Sequence, residues 1–182
     1  QKFSPKLIAG LGICNYLNHS QDINIKCIAL DWQQELLDNS GVKFTFLPAK
    51  HWSARGLFDR NTTLWGAFAI STNAGHIYFA GDSAYSPHFK QAGQQFGSFM
   101  LSLIPIGAYA PRWFMQESHV NPQEAVQAHL DLNSQLSIGM HYGSFDVSDE
   151  AYQQPLIDLE LAKRKYKVDN FITLEFGQDM QL

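Results

Sequence analysis

Three residues far apart in the chain share a setting that suits metal chemistry. His51 follows the alternating run Val42–Leu47, Asp82 follows His76–Ala80, and His141 follows Leu136–Met140. Each run reads as a strand. Each residue therefore stands just past a strand's C-terminal end, the rim where ligand sites collect in α/β sheets. Neutral imidazole and carboxylate are ordinary ligands of zinc and similar divalent ions. Gly81 and Gly143 let the backbone turn tightly beside them. Spacing alone leaves open whether the three converge or are unrelated loop residues. The chain has seven histidines. His19 reads as a loop residue, His76 as a sheet-surface one, and His88 and His129 as helix-surface ones. His119, in Ser118-His119-Val120, precedes a helix N-cap, where it can serve structure or chemistry. Ser53, Ser83 and Ser144 lack a nucleophile-elbow pattern, which excludes a serine hydrolase.

The elements that must carry these residues read as follows. Leu7-Ile8-Ala9 and Ile23–Leu30 are strand-like. Thr63–Ser71 and His76–Ala80 flank Thr72-Asn73-Ala74-Gly75, a hairpin connection. Pro87–Phe96 is helical with Gly97 as its stop, and Met100–Ile106 is a buried strand. Asn121 as N-cap with Pro122 at the first helical position opens a helix to about Leu132. Ser148–Lys165 is an amphipathic helix that Pro155 breaks in two, and Phe171–Phe176 is a final strand. A β-rich half leading into β-α-β-α-β order indicates a layered α/β structure. No repeat or linker divides residues 1–182, so a single domain is expected.

Composition narrows the function classes. Of 182 residues, 45% are apolar and 16% charged, enough for a packed core and too little charge for a disordered chain. A net charge of -4 with no Lys/Arg run argues against nucleic acid as a partner. No apolar run approaches the roughly 20 residues of a membrane span, and no basic amphipathic helix marks a membrane surface. Cys14 and Cys27 read as free thiols of a cytoplasmic chain, with a single bridge as the alternative. The start at Gln1-Lys2-Phe3 suggests an upstream segment.

The words around the three residues are more specific than their spacing. They comprise Pro48–Arg55 (PAKHWSAR), Asp59–Gly66 (DRNTTLWG), Tyr78–Ser83 (YFAGDS), Ile104–Met115 (IPIGAYAPRWFM), His119–Ala125 (HVNPQEA), Met140–Phe145 (MHYGSF) and Asp31-Trp32. In this order they resemble the metallo-β-lactamase superfamily, in its N-acylphosphatidylethanolamine-hydrolysing phospholipase D-like branch, over roughly residues 5 to 160. The resemblance implies the C-terminal half of an αββα sandwich, a mixed sheet with flanking helices. It implies two divalent metal ions, zinc by preference with iron or manganese as alternatives. His51 and His141 resemble terminal ligands and Asp82 the bridging carboxylate.

The implied activity is hydrolysis of a small-molecule or phospholipid-like phosphodiester by metal-activated hydroxide, with peripheral membrane contact. Lactones and nucleotides are the superfamily's other substrates. Asp82 and His119 would be the catalytic residues, His119 assisting the leaving group or an oxyanion. Tyr109 and Arg112 join His119 as substrate-binding residues. Arg112 would grip a phosphate or tie its loop to a carboxylate such as Asp59. Arg55 and Asp59 resemble an ion pair or loop brace, and Trp52, Trp65 and Trp113 packing residues.

The family's His-x-His-x-Asp-His run does not occur in this sequence. Three ligands for two ions are fewer than catalytic zinc sites use. The isolated chain is therefore expected to hold metal weakly or not at all and to be inactive, unless another polypeptide completes it. An apolar sheet face is expected where that half would pack, favouring a homo-oligomer or pairing with the absent half. The competing reading is a non-catalytic folded fragment or assembly subunit.

Overall fold

A computed structural model describes residues 5–20 and 26–181. Its main sheet has seven strands in the order β3 (Glu35–Leu37), β4 (Lys43–Leu47), β5 (Ala67–Thr72), β6 (Gly75–Phe79), β7 (Leu101–Pro105), β8 (Ser137–Met140) and β9 (Phe171–Ile172). β3 to β6 run antiparallel, and β6 to β9 parallel. The switch follows from connection length. Asn73 and Ala74 turn β5 directly into β6, with Thr72 opposite Gly75. The later connections carry helices, as parallel pairing requires.

Those helices are α2 (His88–Phe96), α4 (Pro122–Asp131) and α5 (Gln154–Tyr166), with the single turn α3 (Arg112–Met115) ahead of α4. Phe89 and Ala92 of α2, Val126 of α4 and Leu159 of α5 share one core with Ala69, Tyr78, Ile104 and Phe171 of the sheet. α4 starts with the expected cap. Asn121 Oδ1 accepts from Glu124 N at 2.8 Å, and Glu124 Oε2 accepts from Asn121 N at 3.1 Å. α5 departs from expectation. Pro155 sits in its first turn and opens one helix, rather than breaking a longer one. Asp149 and Glu150, expected within it, are bonded instead to the 108–110 loop.

Alternation places a second apolar row on the opposite face. Phe68, Phe79, Leu103, Ile138 and Ile172 stand side by side across five strands. Four are half-buried, and Phe79 is 40% exposed. This row lies on the face turned away from the helices.

β1 (Lys6–Gly10), α1 (Ile13–Ser20) and β2 (Lys26–Leu30) form a separate parallel pair with its crossover helix. Residues 23–25 of the expected second strand lie outside the described residues. The expected free thiols are corrected here. α1 returns the chain beside β1, and Cys14 and Cys27 meet as a disulfide with Cα atoms 5.5 Å apart. His19 lies in α1 rather than in a loop. His88 and His129 are buried, not surface residues. Strand β5 starts only at Ala67, because Leu64 N donates to Leu11 O and Thr63 O accepts from Ser53 Oγ. β9 ends at Ile172, short of the expected Phe176.

Candidate metal centre

Short backbone links past the strand ends draw the histidines and Asp82 together. Beyond β4, Lys50 pairs with Ala84: Ala84 N donates to Lys50 O at 2.8 Å, and Lys50 N donates to Ser83 Oγ at 3.1 Å. This sets His51 beside Asp82. Gly81 makes the turn after β6 with φ +61°, and an added Cβ would lie 2.9 Å from Gly66 O. Val120 N donates to Ser83 O at 2.9 Å, bringing His119 to the same place. His141 stands one residue past β8, also with positive φ.

One ligand atom each from His51, Asp82 and His119 lies within 4.8 Å of the others. His141 joins through Asp82, its Nε2 3.3 Å from Oδ1. The His119 ring meets His51 edge-on at 5.2 Å between centroids and stacks on His141 at 5.4 Å. Of the sequence-predicted set, His51 and Asp82 share this group with His119, and His141 stands against Asp82 and His119.

Hydrogen bonding leaves ring nitrogens in this group unpartnered. His51 Nδ1 is 2.8 Å from the Trp52 carbonyl. A carbonyl only accepts, so Nδ1 carries a proton, and in the neutral ring the lone pair is on Nε2. His51 Nε2 and His119 Nδ1 are buried with no hydrogen-bond partner, a costly state for a polar atom unless a ligand satisfies it. The His141 hydrogen bond holds the Asp82 carboxyl below its ordinary range against the opposing effect of burial, with charge effects from His141, His51 and His119 adding to it. The same bond raises His141. Burial pushes His119 down to about 4, with His51 and His141 adding and Asp82 opposing. An anionic carboxylate among imidazoles with bare ring nitrogens is a donor set that fits a divalent ion.

Two clefts flank the centre. One of about 390 Å³ is lined by His51, Trp52, Arg55, Trp65 and Asp82. The other, about 370 Å³, runs from His141 past Phe145 to Glu150 and Tyr152.

The remaining expected residues lie elsewhere. Tyr109 Oη donates to Asp158 Oδ2 at 2.5 Å, so its phenol faces α5 and not the centre. Arg112 donates from Nη1 to His119 O at 2.7 Å and from Nη2 to Glu124 Oε2 at 2.5 Å. It is a brace, and its carboxylate is Glu124 rather than Asp59. Asp59 instead accepts from the backbone N–H groups of Arg55 and Gly56, while the Arg55 guanidinium donates to Thr63 Oγ1. Trp65 packs with Trp32 as expected, but Trp113 is 77% exposed and is no packing residue.

A family model for the beta-lactamase superfamily domain matches residues 3–142. The chain is 40% identical over 137 residues to N-acyl-phosphatidylethanolamine-hydrolyzing phospholipase D 1 of Caenorhabditis elegans, covering 72% of this chain and 38% of that protein. It is 33% identical over 166 residues to the mitochondrial N-acyl-phosphatidylethanolamine-hydrolyzing phospholipase D of Saccharomyces cerevisiae, covering 88% of this chain and 35% of that one. The chain thus spans a little over a third of these relatives' length. Igni18, a metallo hydrolase from Ignicoccus hospitalis, superposes with a TM-score of 0.71 at 17% identity, over 97% of this chain and 68% of that one. The match runs through the strand ends that carry His51, Asp82 and His141, and on that basis the chain belongs to the metallo-β-lactamase superfamily, on the side of its phospholipase D-like members.

Proposed function

We propose that this chain supplies part of the active site of a metal-dependent hydrolase of phospholipase D type. The observation that carries the reading is the convergence of His51, Asp82 and His119, with His141 on Asp82. When bound, two divalent ions, zinc by preference, supply Lewis acidity and lower the pKa of coordinated water. His51, Asp82 and His141 would hold the ions.

The protein's own residues do the rest. Burial disfavours the charged form of His119, and its unpartnered Nδ1, in the tautomer that protonates it, would donate a hydrogen bond to a substrate oxygen. Arg112 fixes the His119 backbone. The flanking clefts have room for a phosphodiester headgroup.

The substrate class follows the relatives' names, an N-acylated phosphatidylethanolamine. Peripheral membrane contact has support in exposed Leu57, Phe58 and Phe145 on loops and Trp113 and Phe114 on α3, all beyond the strand ends. Among the described residues no helix is long and apolar enough to cross a membrane. A cytoplasmic location loses the support of free thiols now that Cys14 and Cys27 are paired.

The test is hydrolysis of N-acyl-phosphatidylethanolamine by the intact protein and by Asp82→Ala. The variant should lose turnover by at least a thousandfold along with bound metal. Full activity in Asp82→Ala would end the reading. A second reading, a non-catalytic assembly subunit, is favoured by the apolar row from Phe68 to Ile172. Wild-type protein that associates but binds no metal would support it.

A further inference from the structure

We infer that Glu150 is the positioning residue for the His141 side of the centre. The inference rests on the reading of His51, Asp82 and His141 as metal ligands. It concerns a residue forty positions from the loop it holds and outside every motif around the histidines.

β7 and β8 end side by side, and Ile106 N donates to Met140 O at 3.0 Å. The next residues are in close contact. A Cβ on Gly107 would meet His141 O at 2.3 Å and Tyr142 Cα at 3.1 Å. The bare Gly107 backbone is thus seated against the His141 peptide, and it is also among the groups acting on the His141 ring. Where Gly107 goes, His141 must follow.

Past Gly107 the chain leaves the sheet, and its N–H groups need other acceptors. A single carboxylate takes three of them. Ala108 N donates to Glu150 Oε1 at 2.5 Å, Tyr109 N to Oε1 at 3.4 Å, and Ala110 N to Oε2 at 2.9 Å. Ser148 Oγ adds a bond to Oε1 at 2.8 Å, and Asp149 N returns one to Ala110 O at 3.1 Å. Ala108 holds a left-handed φ of 60° inside this clamp, a conformation that an alanine keeps only when its surroundings enforce it. Burial pushes the Glu150 carboxyl up, but the bonds from Ala110, Ser148 and Ala108 hold it below its ordinary value, so it is an anion at neutral pH. Its charge reaches His119 as well. Glu150 and His141 line the same cleft. Groups hydrogen-bonded directly to a ligand commonly change metal affinity 10- to 100-fold when removed, and the effect of Glu150, which reaches His141 through the 107–110 backbone, is read against that scale.

The experiment is titration of the intact metal-free protein with cobalt(II), followed by its visible absorption. The variants are Glu150→Ala, Glu150→Gln, His141→Ala and Tyr85→Phe. Tyr85→Phe removes the Tyr85–Asp131 hydrogen bond, away from the centre, and controls for a general loss of stability. Glu150→Ala should weaken cobalt binding about 10- to 100-fold and alter the spectrum, while Tyr85→Phe leaves both unchanged. Glu150→Gln should fall between, because its amide oxygen still accepts from Ala108 and Ser148 while its NH2 opposes Ala110 N–H. This variant carries the test should Glu150→Ala not fold. Wild-type affinity in both Glu150 variants, with weakened binding in His141→Ala, would overturn the inference alone. Wild-type affinity in His141→Ala would overturn the reading of the centre and the inference with it.

Discussion

The Arg112 guanidinium bridges the His119 carbonyl, 2.7 Å from Nη1, and the Glu124 carboxylate, 2.5 Å from Nη2. Glu124 is at the same time the far half of the α4 capping box. One arginine therefore ties the entry of a helix to a histidine of the centre. Arg112→Ala should lower stability by about 1–3 kcal/mol, because it leaves a half-buried carboxylate short of a partner. Arg112→Lys should recover little, since an ammonium cannot span both acceptors as the planar fork does. Urea denaturation of the three proteins measures this. Equal stability of Arg112→Lys and wild type would contradict it.

Acid should destabilise the fold partly through His88. Burial pushes its pKa down to about 4, against an ordinary value near 6.5. Between those values the unfolded chain binds a proton that the native chain refuses, so stability rises with pH across this window and is lost on acidification. The contribution is roughly 3 kcal/mol at most at about 1.4 kcal/mol per unit. The slope of unfolding free energy between pH 4.5 and 6.5 should be shallower in His88→Asn. His129, lowered first of all by burial, acts in the same direction and leaves a residual slope.

The Cys14–Cys27 bridge closes a short loop, with a sequence separation of 13. Constraint of the unfolded chain by such a loop is worth about 3 kcal/mol. Reduction, or a Cys14→Ser/Cys27→Ser pair, should lower the thermal midpoint accordingly, as read by calorimetry. An unchanged midpoint after verified reduction would show that α1 and β2 need no covalent tie.

The row from Phe68 to Ile172 should govern self-association of this chain. Phe79, the most exposed member at 40%, is the position to change. Phe79→Asp should shift sedimentation toward monomer and leave the secondary structure unaltered by circular dichroism. Undiminished association would move the contact to another surface.

Much of the scaffold was legible in the residues because its signals are local. The two-residue turn at Asn73-Ala74, the Asn121 cap and the alternation of β4 to β6 each involve neighbours along the chain. The elements β3, α3 and α1 are three, four and eight residues long, too short for periodicity alone to mark them. Pro155 was legible as a helix interruption; in the fold it opens α5, while Glu150 ahead of it is bonded to a distant loop.

The sequence by itself determined which residue types stand past which strand ends, and through its motifs the family; it singled out His51, Asp82 and His141 as the residues to look for. Tertiary structure alone decided that His119 stands within their cluster, that Arg112 and Tyr109 turn to Glu124 and Asp158, and that Glu150 holds the 108–110 loop. The reason is physical. Strand-end placement follows from local periodicity, whereas the partner of a charge or a lone N–H is whichever group the folded chain brings within about 3 Å, and separation along the sequence does not enter.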